Sequence, residues 1–307
     1  MSRNASTDAL LTAVIFGWIE LPEVKELQLT SLRLCTDCRE NRPYHLIVSN
    51  NTPTSLWVRT VQGMGEDILE SRLHLPRVTK ITWDSSIESL VLRLAWPVGL
   101  KVIVFGSQFN DHLPRQNAPS GKLLRHPGRR HAGVERITWP PDIKELVFGE
   151  RFNQKVDGFA WPMGLEVLIF GRAFNQTLDG VTWPTSLKHV TFCRNFNKPL
   201  IGVVWPSGLE KIVFGRLFNR AIRGVTWPPG LKQLTFGDHF NQPVDGVLWP
   251  PGLEELTFGS NFNQSVSRVI WPKTLEQLTF GYWFEQKVDE IVWPTSLNRL
   301  TFLGTFT

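Results

Sequence analysis

The chain has 307 residues but only three cysteines (Cys35, Cys38 and Cys193), two tyrosines and three methionines. An odd cysteine count without a framework argues against a disulfide-stapled secreted domain and fits a reducing, cytoplasmic compartment. Cys35-x-x-Cys38 has no second pair at ligand spacing, so no metal or other cofactor is expected. Long apolar runs are missing too. The stretch from Ala9 to Ile19 is too short to cross a bilayer and is followed by no small-residue cleavage site, so neither a transmembrane helix nor a signal peptide is read. The seven histidines never join an acid and a Ser or Cys in a recurring constellation, and the glycines form no phosphate loop. The chain is therefore read as not an enzyme.

What abounds is aromatic. With 13 Trp and 20 Phe in a composition 42% hydrophobic and 20% charged, a large apolar interior is expected. Trp-Pro recurs with a stride of 22 residues, at Trp139, Trp161, Trp183, Trp205, Trp227, Trp249, Trp271 and Trp293. Units this short cannot bury a core alone and must stack as a solenoid. In the unit from Trp249 to Ile270, Leu256 and Phe258 alternate with polar neighbours, as do Val247 and Trp249 across Leu248. Each pair predicts a short half-buried strand, two per rung, in a mainly β, parallel solenoid. Pro250 and Gly259 are read as corners, the glycine through a left-handed backbone, and Gly158, Gly180, Gly202, Gly224 and Gly246 mark a third corner. The Trp column alternates with Val and is assigned to the core rather than to an exposed ligand-stacking ladder. Asn153, Asn175, Asn197, Asn219, Asn241 and Asn263 follow a core Phe, where an amide can satisfy backbone groups of its own and the neighbouring rung. Glu285 replaces Asn at the next position, which suits a last rung partly open to water.

Leu231 to Val244, reading Leu-Lys-Gln-Leu-Thr-Phe-Gly-Asp-His-Phe-Asn-Gln-Pro-Val, resembles the FNIP repeat, a relative of leucine-rich repeats. The resemblance covers Trp139 to Thr307 and Trp96 to Asn110 and implies a leucine-rich-repeat-like fold. The family usually has Leu before the Pro, and the Trp here implies a wider interior. Such proteins often carry an F-box ahead of the repeats. Asp8 to Cys35 reads as helix, and its leucines and isoleucines are similar in spacing to an F-box, although a plain helical cap explains the same residues. The organisation is thus a helical cap over 1–40, degenerate capping repeats over 41–95, and a repeat solenoid over 96–307. A basic insertion interrupts the solenoid at 113–133, carrying Arg115, Lys122, Arg125, Arg129 and Arg130 without an acid. It is either an extruded loop that meets an anionic partner or an unselected insertion.

Function on a solenoid lies in the variable outward positions. Between Gly180 and Gly237 eight basic residues face Glu210 alone, whereas from Asp238 to Thr307 eight acids face four bases. Arg172, Arg194 and Arg216 form one column, with Lys198, Arg220 and Arg223 in the same band. In-register like charges repel, so these side chains either fan into solvent or are compensated by an acidic protein partner. Tyr282 and Trp283 form an aromatic corner that is either a partner anchor or a cover for the last rung. The reading is a non-catalytic protein-interaction scaffold. Its F-box version is a substrate-recognition subunit of a cullin-RING ubiquitin ligase, docked to a Skp-type adaptor. The alternative is a cell-surface or adhesion protein similar to bacterial leucine-rich repeats of the BspA type. Nucleic-acid binding through the basic band lacks the aromatic-basic interleaving of known modules.

Overall fold

The computed structural model describes residues 32–34, 44–49, 78–84, 99–110 and 139–304. Their strands are β1 (Leu32–Leu34), β2 (Tyr44–Ser49), β3 (Val78–Asp84), β4 (Val102–Val104), β5 (Glu145–Val147), β6 (Val167–Ile169), β7 (His189–Thr191), β8 (Lys211–Val213), β9 (Gln233–Thr235), β10 (Glu255–Thr257), β11 (Gln277–Phe280) and β12 (Arg299–Phe302). They lie side by side in one sheet, in chain order. Parallel pairing runs from β2 to β12, while β1 is antiparallel to β2. Leu32–Leu34 is thus strand where helix was expected, because the Leu-x-Leu alternation can extend the unpaired edge of β2. The rest of the helical and F-box reading, Cys35, Cys38 and the insertion at 113–133 lie outside the described residues. On either side of that insertion the register is continuous. Val102 stands opposite Glu145, and the Asn153 N–H donates to Asn110 Oδ1 at 2.8 Å.

Period-two alternation explains the strands. In β4 to β10 the middle residue, such as Leu168, Ile212 or Leu256, is buried, and its neighbours are partly or fully exposed. Identical residues then fall into columns. The strand-ending phenylalanines stack from rung to rung at 5.3–5.8 Å and those before Asn at 5.9–6.1 Å. Each buried ring contributes roughly 2–3 kcal/mol relative to exposure. The Trp column is core as well, with Trp161, Trp183, Trp205, Trp227 and Trp271 only 6–8% exposed.

Of the two strands expected per rung, only the Leu-x-Phe side pairs as a ladder. The Val-x-Trp side is alternately buried and exposed, yet it forms no regular inter-rung hydrogen bonds. One physical reason is that Pro after Trp has no N–H to donate. On this side Trp139 Nε1 donates to Ala160 O at 2.7 Å, whereas the indole N–H groups of Trp161, Trp183, Trp205, Trp227, Trp249 and Trp271 are buried without a partner. Those donors lower the net gain from indole burial.

The glycines divide into two kinds. Gly158, Gly180, Gly202, Gly224 and Gly246 have positive φ, as the third-corner reading requires. Gly259 does not, so its column is glycine for a different reason, namely space. A Cβ at Gly237 would lie 2.1 Å from the Gly215 carbonyl oxygen, and one at Gly259 2.0 Å from that of Gly237. Cys193 is the exception in this column; it is half-buried, and burial pushes its thiol pKa up.

Gly237→Ala should therefore cost more than Gly202→Ala in denaturant unfolding. Overpacking against backbone is worth about 3 kcal/mol, whereas left-handed strain at an open position is worth about 1 kcal/mol. The reverse order would place the constraint in φ instead of space.

Candidate functional site

The corner after each strand is built from the segment Gly-x-x-Phe-Asn, as in Gly215-Arg216-Leu217-Phe218-Asn219. Phe218 is driven into the core, and Leu217 and Asn219 on either side of it are left partly exposed. Stacked rungs turn this pattern into a groove along the solenoid axis. Its lining is Leu217, His239 and Asn261 on one wall and Asn197, Asn219 and Asn241 on the other, a shallow depression of about 470 Å³ that is largely open to solvent.

The asparagine wall is held rigidly. The backbone N–H of each Asn donates to the Oδ1 of the Asn one rung earlier, from Asn153 on Asn110 to Asn263 on Asn241, at 2.8–3.0 Å. Gln242 and Gln264 donate to the same oxygens, of Asn219 and Asn241. Glu285, exposed, continues the ladder through its backbone N–H on Asn263 Oδ1. Because Oδ1 must face the incoming N–H, Nδ2 is left as the free donor of each amide. Asn219 and Asn241, each with Oδ1 accepting twice, thus present Nδ2 donors, and Asn197, with Oδ1 accepting once, presents Nδ2 and one remaining lone pair.

Arg172, Arg194 and Arg216 are exposed in the column beside the Leu217 wall. That column reads Glu150, Arg172, Arg194, Arg216, Asp238, Ser260, Tyr282. Arg216 Nε is 3.4 Å from Asp238, so the basic run ends in an ion pair, while Arg194 lies between two other arginines. Lys198 and Arg220 replace the Gln that follows Asn in most rungs, on the opposite side of the groove. Arg220 Nε donates to Asn197 O at 3.0 Å, the bond that Gln176 Nε2 makes to Asn153 O, so it also has a structural task. Arg223 is not brought to the groove. It stands at the next corner, beside Gly246. Tyr282 and Trp283 are 54% and 56% exposed and meet edge to face at 5.0 Å. They occupy the same columns as Arg216 and Leu217, so the sequence's basic and aromatic corners share one edge of the molecule.

Elsewhere the stack handles charge differently. The column before the strands reads Lys101, Lys144, Glu166, Lys188, Glu210, Lys232, Glu254, Glu276, alternating in sign from Lys144 to Glu254 with one like-charged neighbour at each end. Lys144 and Lys188 lie 2.8 and 3.6 Å from Glu166, and the Lys144 hydrogen bond is the main cause of the lowered Glu166 pKa. Sequence reasoning also missed an exposed aliphatic stripe, in which Val204, Leu248, Ile270 and Val292 are 79–89% exposed. Its signal was the apolar residue between Val and Trp in these rungs. Among the described residues no group of three His, Cys, Asp or Glu could hold a metal, and no helix is long and apolar enough to cross a membrane.

A family model for the FNIP repeat matches residues 174–217, 196–238, 218–261 and 240–282. These rungs are FNIP repeats. The FNIP segment carries the whole groove, its asparagine ladder, and Arg194 and Arg216. Among solved structures, the chain is similar to CroV588, titled a novel circular LRR protein, with 30% identity and a TM-score of 0.43 over 76% of this chain. The match covers 38% of the CroV588 chain. No curated protein matches.

Asn219→Ala should destabilise the FNIP stack by about 2 kcal/mol in chemical denaturation, since it strands the Asn241 N–H and the Gln242 amide. Asn219→Asp keeps the acceptor and should cost clearly less. Equal losses would show that the ladder bond is not what the column supplies.

Proposed function

We propose that this leucine-rich-repeat-type solenoid is a non-catalytic protein-interaction scaffold whose basic edge receives an acidic protein partner. The observation that carries the reading is the contrast between two charged columns. Before the strands, bases and acids alternate over the six rungs from Lys144 to Glu254, as in-register stacking favours. Beside the groove, Arg172, Arg194 and Arg216 follow one another in consecutive rungs, and among the described residues only Arg216 has an acid within ion-pair distance, Asp238. Repulsion between like charges so close is a standing cost, and an acidic ligand would remove it. The exposed Tyr282 and Trp283 on the same edge supply the aromatic anchor that interfaces favour. A refinement, resting on the F-box resemblance of 1–40, is substrate recognition in a cullin-RING ubiquitin ligase through a Skp-type adaptor.

An affinity pull-down comparing wild type with Arg194→Glu/Arg216→Glu should show the partner lost or weakened by roughly tenfold or more, with unchanged melting. Identical recovery by both proteins would remove the basic edge from the function. The ligase refinement predicts co-purification of the Skp-type adaptor that is lost on deleting 1–40; absence of the adaptor from the wild-type preparation would end it.

A further inference from the structure

We infer that the asparagine-walled groove holds an acidic protein segment in extended conformation, running along the solenoid axis with a carboxylate at every second residue. This specifies the ligand of the basic edge and rests on the function proposed above. Three features of the groove define it.

The first is spacing. Beneath the groove lies the fully buried Phe196, Phe218, Phe240 row, whose rings repeat from rung to rung at 6.0–6.1 Å. Two residues of extended chain advance about 6.4–6.8 Å, so alternate side chains keep step with successive rungs across the groove. The second is donor chemistry. Asn197, Asn219 and Asn241 have committed Oδ1 to the ladder and offer Nδ2, while Arg194 and Arg216 stand along one side and Lys198 and Arg220 along the other. Amide donors suit the free carbonyls of an extended backbone, and the cations suit its carboxylates.

The third is width. The two walls are separated by the single inward residue of each rung, such as Phe218 between Leu217 and Asn219. An acidic helix could also repeat its charges at about 6 Å, four residues apart, but with side chains it is about 10 Å across and its carbonyls are spent internally. Single-stranded nucleic acid carries charge at a comparable spacing, yet within the groove lining His239 is the one ring among amides and Leu217, with Tyr282 and Trp283 two rungs further along, so bases would lack a stacking partner at successive rungs.

The test uses fluorescence anisotropy on the full chain with a short labelled peptide bearing Glu at alternate residues, an isomer with the same residues grouped in blocks, and a DNA strand of equal charge. The alternating peptide should bind roughly tenfold more tightly than its isomer, and Leu217→Glu, which places a like charge in the wall, should erase that preference without lowering the melting temperature. Equal binding of both peptides, with both weakened by Arg194→Glu/Arg216→Glu, would overturn the alternating register and leave the basic edge standing. Peptide binding indifferent to that double reversal would overturn the proposed function too. Tighter binding of the DNA strand would overturn the peptide assignment in favour of nucleic acid.

Discussion

Between residues 139 and 304 each side chain has its counterpart one rung away, and inside the stack one on either side. That in-register stacking decides which residues a position can hold. Aromatic rings profit from it, since Phe meets Phe at near-parallel orientation along two columns. Amides profit as well, because an Asn can accept the backbone N–H of the next rung and be accepted from in turn. Glycine is imposed where backbones approach too closely for a Cβ. Charge is the residue property that stacking penalises, which is why sign alternation along Lys144, Glu166 and Lys188 and its failure along Arg172, Arg194 and Arg216 carry information.

The same constraint explains the asymmetry of each rung. On the Leu-x-Phe side the backbones approach to ladder distance and form the sheet. On the Val-x-Trp side the proline after Trp has no donor, and the alternation of burial persists without a ladder. A rung laddered on one side only leaves its other positions open to variation. The Gly-x-x-Phe-Asn corner uses that freedom to line a groove, while the Val-x-Trp side uses it to expose Val204, Leu248, Ile270 and Val292.

Much of this was legible in the residues. The period, the buried Trp and Phe columns and the amide ladder all follow from counting and from alternation, because a repeat copies each local preference many times and suppresses accident. Where the reading went astray, two conformations satisfied the same pattern. Val-x-Trp alternates like a strand whether or not it pairs, Gly259 fits a left-handed corner or a close approach equally well, and Leu32-x-Leu34 suits a helix or an edge strand.

The sequence by itself determined the stacking of 22-residue rungs, the core columns and the uneven placement of charge, since all three depend only on which residues recur at which spacing. Only the tertiary structure decided that Lys198 and Arg220 flank the same groove as Arg194 and Arg216, that Arg223 belongs to a different corner, and that the Asn amides turn their Nδ2 donors outward. Those facts depend on which way a chain turns after each strand and on which oxygen the next rung claims, and neither is settled until neighbouring rungs are in contact.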